Sequence, residues 1–451
     1  MNSKIITPRT LKGFRDYLPE TMLPREQLIA TAQKVYRSFG YTPIETPALE
    51  YLEILGGKGG EETDKQMYHF QDHGGREVGM RFDLTIPLAR FVAQHQHELG
   101  LPFKRYHIAP VWRGENTQKG RYREFMQCDF DTIGTTSLVA DIEVVLVIDV
   151  LLRAIGIEKF TICVNNRKIL NGILEKFELE GKSVAILRVL DKLTKIGVEK
   201  VLKELTEVLA VESVAANEIV KLITLKGDRK AILESLSPLL AGNKTGESGL
   251  AELWELTDRA LAAGVAEERL KVDVSIARGL DYYTGTIYET FLDDLPDIGS
   301  VCSGGRYDNL AGLYTKERLP GVGASLGLDR FLAAMEQLAL LPNAKKSAQV
   351  FLVNFEENRL SDYLLLAKQL RDQGLAVEFF PETKKIGQQL KYADRNRFPV
   401  AIVAGESELC EGKCQVKDLK TGESHVVSLA NEAKEVAEIA EKIIAMGKGI
   451  G

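Results

Sequence analysis

The chain is short of the residues that staple, span or coat. Five cysteines lie scattered through 451 residues; their odd number and lack of paired spacing argue against a disulfide framework and for a reducing compartment. Cys410 and Cys414 are the one close pair. With no second pair in step they read as packing or surface residues, not as a zinc site. The six histidines give little, since neither His69 with His73 nor His95 with His97 has an indicated third ligand. No apolar run approaches the ~18 residues of a membrane span. The opening MNSKIITPRT has no apolar core and no arginine-rich character, so the expectation is a cytoplasmic chain that meets no membrane. Positive charge is not in excess either: 58 Lys and Arg stand against 64 Asp and Glu, a formal net charge of −6. Any nucleic acid would have to be gripped by a local patch.

What is present is enough chain for two or three domains. Leu28, Ile29, Ala32, Val35, Tyr36 and Phe39 recur at helical spacing over 25–39, with Gly40 as a stop. From 78 to 133 the pattern is one of short strands and turns rich in charged and aromatic residues. Between 168 and 268 the style changes to Leu, Lys, Glu and Val at helical period, with few aromatics. The strand-like, glycine-rich style resumes at Val272, Val274 and Ile276. One domain interrupted by a helical insertion is therefore expected. After 346, strands (VFLVNF, AVEFFP, PVAIVAG) alternate with helices over 359–373 and 386–396. A hairpin at Thr421-Gly422 and a last helix from Asn431 follow. This predicts a small α/β domain with a largely parallel sheet.

Five stretches carry chemistry. In VWRGENTQKGRYREFMQCDFD (111–131), Arg113, Lys119, Arg121 and Arg123, with Lys104 upstream, flank a polar loop. Arg113 and Glu115 are two apart, so on a strand they would share a face. An arginine beside a carboxylate with donors to spare suits a phosphate or carboxylate; a hairpin with a charged tip fits equally well. In MRFDLTIPLARF (80–91), Asp83 and Thr85 could hold an ammonium group, or simply begin a helix ahead of Pro87. ARGLDYYTGTIYE (277–289) sets Arg278, Asp281, Tyr282 and Tyr283 before a Thr284-Gly285 turn. CSGGRYDNL (302–310) and GVGASLGLDRF (321–331) offer small residues that let a ligand approach the backbone. LGGKGGEE (55–62) lacks the Walker spacing and reads as a mobile loop.

Together these segments resemble the histidyl-tRNA synthetases, a family of class II aminoacyl-tRNA synthetases, over nearly the whole chain. The likeness rests on LKGFRDYLP (11–19), the motif around Arg113, RGLDYYTG, SGGRYDNL and GASLGLDR, in order and spacing. FGYTPIETPALE, with Pro47, resembles the dimer-interface motif of the class. The resemblance implies an α+β catalytic domain with an antiparallel sheet (1–167 and 269–337), a helical insertion (168–268) and a C-terminal anticodon-binding α/β domain (346–451).

By the same resemblance, the chain activates L-histidine with ATP and Mg2+, then charges tRNA(His). Arg278, Arg113 and Gln127 are the implied catalytic residues, Arg278 lying against the α-phosphate. Glu115, Arg121 and Arg330, with Arg113, take ATP; the metal ligands stay unassigned. Asp83, Thr85 and Gln127, with Leu84 between the first two, take the α-ammonium. Asp131 and Tyr283 bracket the imidazole, with Tyr282 beside them. Many bacterial members have glutamate where this chain has Asp83 and Asp131. The resemblance also implies a homodimer, and anticodon contacts on the last domain. There Lys384, Lys385, Lys391, Arg395 and Arg397 form either a phosphate-binding stripe or a solvated face. The competing reading is a non-catalytic paralogue, the regulatory subunit of an ATP phosphoribosyltransferase. It lacks the last domain and loses residues of the ATP site, whereas both are present here.

Overall fold

Two stretches of ten residues, Phe103–Trp112 and Glu124–Ile133, pair in antiparallel register from Phe103 opposite Ile133 to Trp112 opposite Glu124. They are longer than the short strands expected there, because turn residues at 113–123 separate two uninterrupted runs of alternating side chains. In the computed structural model, residues 6–56, 65–190, 193–276, 282–341 and 346–448 are described. They fall into two units, Met1–Asp16 with Gln27–Leu341, and Tyr17–Glu26 with Pro342–Gly451.

The strands of the first unit are β1 (Thr42–Pro43), β2 (Leu49–Tyr51), β3 (His69–Gln71), β4 (Glu77–Met80), β5 (Phe103–Trp112), β6 (Glu124–Ile133), β7 (Phe160–Asn166), β8 (Leu270–Val272), β9 (Thr286–Leu292), β10 (Cys302–Tyr307) and β11 (Gly321–Gly327). Eight of them form one sheet in the order β1-β5-β6-β11-β10-β9-β7-β8, and β2-β4-β3 form a second. The large sheet is antiparallel except at its two ends, where β1 pairs with β5 and β7 with β8 in parallel. Residues directly opposite one another share a face. A polar row therefore crosses the sheet: His107, Asp129, Ser325, Ser303 and Glu289 are successive partners.

The opposite face is closed by helices. Tyr36, from the helix Pro19–Ser38, donates its hydroxyl to the Cys128 carbonyl at 2.9 Å and packs its ring 5.0 Å from Phe130. That helix begins well before residue 25 and contains Pro24. Tyr288 of β9 reaches the helix Leu138–Ile155 through a 3.0 Å hydrogen bond to the Asp141 carbonyl. The helical insertion lies within this first unit. Its helices Arg167–Lys176 and Lys244–Ala262 cross closely; a side chain at Gly172 would come within 2.7 Å of the Gly246 backbone.

The second unit has a five-stranded sheet. Its strands are β12 (Val350–Leu352), β13 (Val377–Phe379), β14 (Val400–Val403), β15 (Lys413–Asp418) and β16 (Ser424–Ser428), in the order β13-β12-β14-β15-β16. The first three are parallel and the last two add an antiparallel hairpin. Helices Leu360–Asp372, Ile386–Arg395 and Ala430–Lys448 accompany it, with a short unforeseen helix at Glu406–Cys410. Cys410 is exposed and Cys414 buried.

Candidate active site

One face of β6 carries Phe125, Gln127, Asp129 and Asp131, by simple alternation. A cavity of about 290 Å³ opens over it, bordered by Asp83, Arg113, Gln127, Asp129, Tyr282 and Tyr283 among others. A second cavity of about 160 Å³ adjoins it, bordered by Arg113, Glu115, Arg121, Gln127, Ser300 and Arg330. Arg113, Gln127, Ser303 and Ser325 border both. The four residues that the resemblance gives to ATP thus meet at one cavity, and most of those given to histidine meet at the other.

Arg113 and Glu115 are not strand neighbours. β5 stops at Trp112, and Gly114 turns its N–H to the Gln66 carbonyl at 2.7 Å. The two side chains still converge, because the loop folds over the sheet's end. Arg113 donates Nε to the Phe82 carbonyl at 3.1 Å and lies between the rings of Phe82 and Phe125, at 4.4 and 5.1 Å. That sandwich fixes the guanidinium plane and leaves its two terminal nitrogens for a ligand. Burial pulls its pKa down while Asp83 and Glu115 push it back up; an arginine remains charged regardless. Arg121 pairs loosely with Glu115 at 3.8 Å. Arg330, in the first turn of the helix Leu328–Gln337, donates to the Ser300 carbonyl at 2.6 Å. The Asp329 carboxylate accepts the Met126 N–H at 2.7 Å and so pins that helix to β6. Of the other cations expected here, Lys104 faces away and pairs with Glu143 at 2.6 Å, and Arg123 holds the Glu115 carbonyl at 3.2 Å.

Asp83 starts a helix. Its Oδ1 accepts the N–H groups of Thr85 and Ile86 at 3.1 and 2.9 Å, starting the helix Thr85–His95. Its buried Oδ2 has no hydrogen-bond partner among the described residues, nor do Gln127 Oε1 and Asp129 Oδ1. Burial drives the Asp83 carboxyl above its usual range, with the two N–H bonds and Arg113 opposing. Gln127 is oriented by a 3.0 Å bond from its amide to Ser325 Oγ. Leu84 borders neither cavity: it is fully buried and packs with Ala109 and Val111.

Asp131 is differently placed. It borders a small side cavity of about 20 Å³ with Thr85, Asp129 and Tyr283. Tyr307 donates its hydroxyl to Asp131 Oδ1 at 2.6 Å, and Arg105 lies 2.7 Å from Oδ2. Gly323 is required beside it, because a Cβ there would fall 2.3 Å from that Oδ1. Tyr282 and Tyr283 pack edge to face at 5.1 Å. Arg278 and Asp281 lie outside the described residues, as do 57–62 of the glycine-rich loop.

Sequence reasoning overlooked Asp129, Arg105, Ser325 and Tyr307. The signal for Asp129 was available: it sits two residues from both Gln127 and Asp131 in a strand, on the same face. Burial pushes its carboxyl up to about 7; Arg105 opposes the rise and Asp131 adds to it.

An antiparallel sheet thus floors two adjoining cavities, one lined by arginines and the other by unpartnered acceptors, as expected from the resemblance to class II aminoacyl-tRNA synthetases. The sequence model described as histidyl-tRNA synthetase matches residues 13–331, and one described as an anticodon binding domain matches 349–439. Histidine–tRNA ligase of Rhodopirellula baltica is 61% identical over 431 residues, covering 96% of this chain and 98% of that protein. Histidine–tRNA ligase of Wolinella succinogenes is 47% identical over 437 residues, covering 96% and 98%. The crystal structure of histidyl-tRNA synthetase from Nostoc superposes with a TM-score of 0.87 at 34% identity, covering 98% of this chain and all of that one. The chain belongs to the histidyl-tRNA synthetase family.

Proposed function

We propose that this chain works as a histidine–tRNA ligase in two steps. A carboxylate oxygen of L-histidine attacks the α-phosphorus of ATP, the bond to pyrophosphate breaks, and histidyl-adenylate forms. A hydroxyl at the 3′ end of tRNA(His) then attacks the acyl carbon and AMP leaves. The observation that carries this reading is the pair of cavities joined at Arg113 and Gln127. One side offers orphaned acceptors on Asp83, Gln127 and Asp129, so its ligand must bring N–H donors, as an α-ammonium and an imidazole do. The other offers Arg121 and Arg330 to phosphates, and Mg2+ enters there as part of the nucleotide substrate.

Arg113 stands where the substrate carboxylate meets the α-phosphate, and it stabilises charge on both. Asp83, Thr85 and Gln127 hold the α-ammonium. Asp131, Tyr283 and Tyr282 border the ring. Arg278 is assigned to the α-phosphate from the sequence motif. Catalysis needs alignment and positive charge more than a base. The second unit takes the anticodon, with Lys384, Lys385, Lys391, Arg395 and Arg397, all exposed, on its second helix and flanks. The 1–167 with 269–337, 168–268 and 346–451 division, a cytoplasmic location and a homodimer formed through the segment at Pro47 complete the reading. A regulatory-subunit role is weakened by the complete ATP-side set and by the second unit.

The test is histidine-dependent exchange of pyrophosphate into ATP. The expected result is exchange in the wild type and loss of most of kcat in Arg278→Ala, with histidine affinity little changed. Absence of exchange in the wild type rejects the ligase reading; wild-type exchange in Arg278→Ala rejects only the role given to that residue.

A further inference from the structure

Residues 11–15 border neither cavity, yet they touch the loop between β5 and β6 that does. The Phe14 N–H closes a turn onto the Leu11 carbonyl at 3.0 Å, with Gly13 at a φ of +88°. That conformation favours glycine, and so does the space, because a Cβ at Gly13 would fall 2.6 Å from Arg123 Cγ and 2.9 Å from Thr117 Cγ2. The turn makes two polar contacts with the loop. The Gly13 carbonyl accepts the Arg123 N–H at 2.8 Å. Arg15 donates Nη1 to the Tyr122 hydroxyl at 2.7 Å, and its guanidinium lies 4.8 Å from the centre of that ring. Phe14 packs edge to face on Tyr68 at 6.3 Å, close in sequence to the Gln66 carbonyl that holds Gly114.

We propose that the turn at 11–15 braces the nucleotide loop, and that Arg15 is a positioning residue for ATP acting through Tyr122. This rests on the ligase reading above for the identity of the nucleotide. Arg123 is the junction: its carbonyl accepts the Arg113 N–H at 2.9 Å, its Nε holds the Glu115 carbonyl, and its own N–H is held by Gly13. Glu115, Gly120, Arg121 and Tyr122 of the same loop border the nucleotide cavity. A loop that must be ordered by its ligand loses conformational entropy on binding. A contact that holds Tyr122 beforehand raises the fraction of chains in the competent form, and apparent affinity rises with that fraction. The amino-acid cavity is insulated from this effect. Gln127 and Asp129 are set by β6, Asp83 by its helix, and Arg113 by Phe82 and Phe125.

The experiment measures ATP binding with Mg2+ by isothermal titration calorimetry, and KM for histidine by pyrophosphate exchange. In Arg15→Met, which keeps a stem and removes the donor, Kd for ATP should rise about tenfold while KM for histidine stays within about twofold. Tyr122→Phe should weaken ATP binding in the same way. The double variant should bind ATP within about twofold of Arg15→Met, because both substitutions remove one bond. Multiplied losses would mean that the Tyr122 hydroxyl serves the nucleotide directly, and would overturn the inference. So would wild-type ATP affinity in folded Arg15→Met, or an equal rise in Kd for ATP and KM for histidine. If Arg15→Met shows no cooperative melting, Arg15→Lys, which keeps the charge and loses the planar fork, takes its place with an expected loss of at least about threefold. A wild type that binds ATP without histidine-dependent exchange rejects the ligase reading, and the ATP affinities of the variants still decide this inference. A wild type that does not bind ATP overturns both.

Discussion

Gln127 gives its amide N–H to the Ser325 hydroxyl at 3.0 Å, and this bond between β6 and β11 leaves Oε1 as an orphaned acceptor where the two cavities join. Gln127→Ala removes an acceptor for a cationic donor, worth about 1.5–3 kcal/mol. Steady-state exchange kinetics should show KM for histidine raised about 10- to 100-fold and KM for ATP within about threefold of wild type.

Arg113 is clamped between Phe82 and Phe125, with Nε held by a carbonyl. Lysine keeps the charge but loses the planar fork and the stacking. Arg113→Lys should therefore lower kcat for adenylate formation by about 100-fold, measured by single-turnover quench. The melting temperature should move little, because lysine still covers the two rings with its stem.

Arg306 and Asp141 make the buried ion pair that ties β10 to the helix Leu138–Ile155. Arg306 Nε donates to both Asp141 oxygens at 3.0 and 3.1 Å, while Nη1 and Nη2 reach the Thr135 and Ser137 carbonyls at 3.0 and 3.2 Å. The Arg306 carbonyl accepts the Thr284 N–H at 2.8 Å, next to the paired tyrosines. Asp141→Ala leaves the buried cation with Asp308, 3.4 Å from Nη1, as its remaining charged partner among the described residues, a cost of about 3 kcal/mol. Urea unfolding followed by circular dichroism should show that loss.

His107 predicts how stability depends on pH. It is 2% exposed, neither ring nitrogen has a partner among the described residues, and burial, with Arg105 and Arg81 adding, pulls its pKa down to about 3. Below the unfolded value of about 6.5 the unfolded chain gains a proton that the folded chain refuses. Stability from this residue is therefore complete above about 6.5 and is lost as pH falls towards about 3. The difference between wild type and His107→Leu should shift by about 1.4 kcal/mol per pH unit between pH 6 and 5, in favour of the variant. Urea titrations at pH 7.5, 6 and 5 measure it; a constant difference would refute the assignment.

Much of this site is legible in the chain itself. The arginines of the nucleotide cavity stand out in 111–131 and at 330, and Asp83, Thr85, Gln127 and the tyrosine pair stand out by chemistry and motif. The misreadings have local causes. Arg113 and Glu115 share a cavity through a loop turned by the Gly114–Gln66 bond, not through a strand face. Leu84, between two site residues, goes to the core because the backbone turns into a helix at that point. Asp129 was masked by its neighbour Asp131, which has the same side chain on the same face.

Alternation by itself puts Phe125, Gln127, Asp129 and Asp131 on one face of β6, since a strand sends successive side chains to opposite sides whatever surrounds it. The motifs, in their order, carried the resemblance to the family. Only the tertiary structure decided which acceptors stay free for a ligand. Tyr307 lies 176 residues from the Asp131 it binds, and no local pattern records that meeting. Partnering in a buried polar cluster is fixed when distant strands come together, and what is left unpaired there is what the substrate must satisfy.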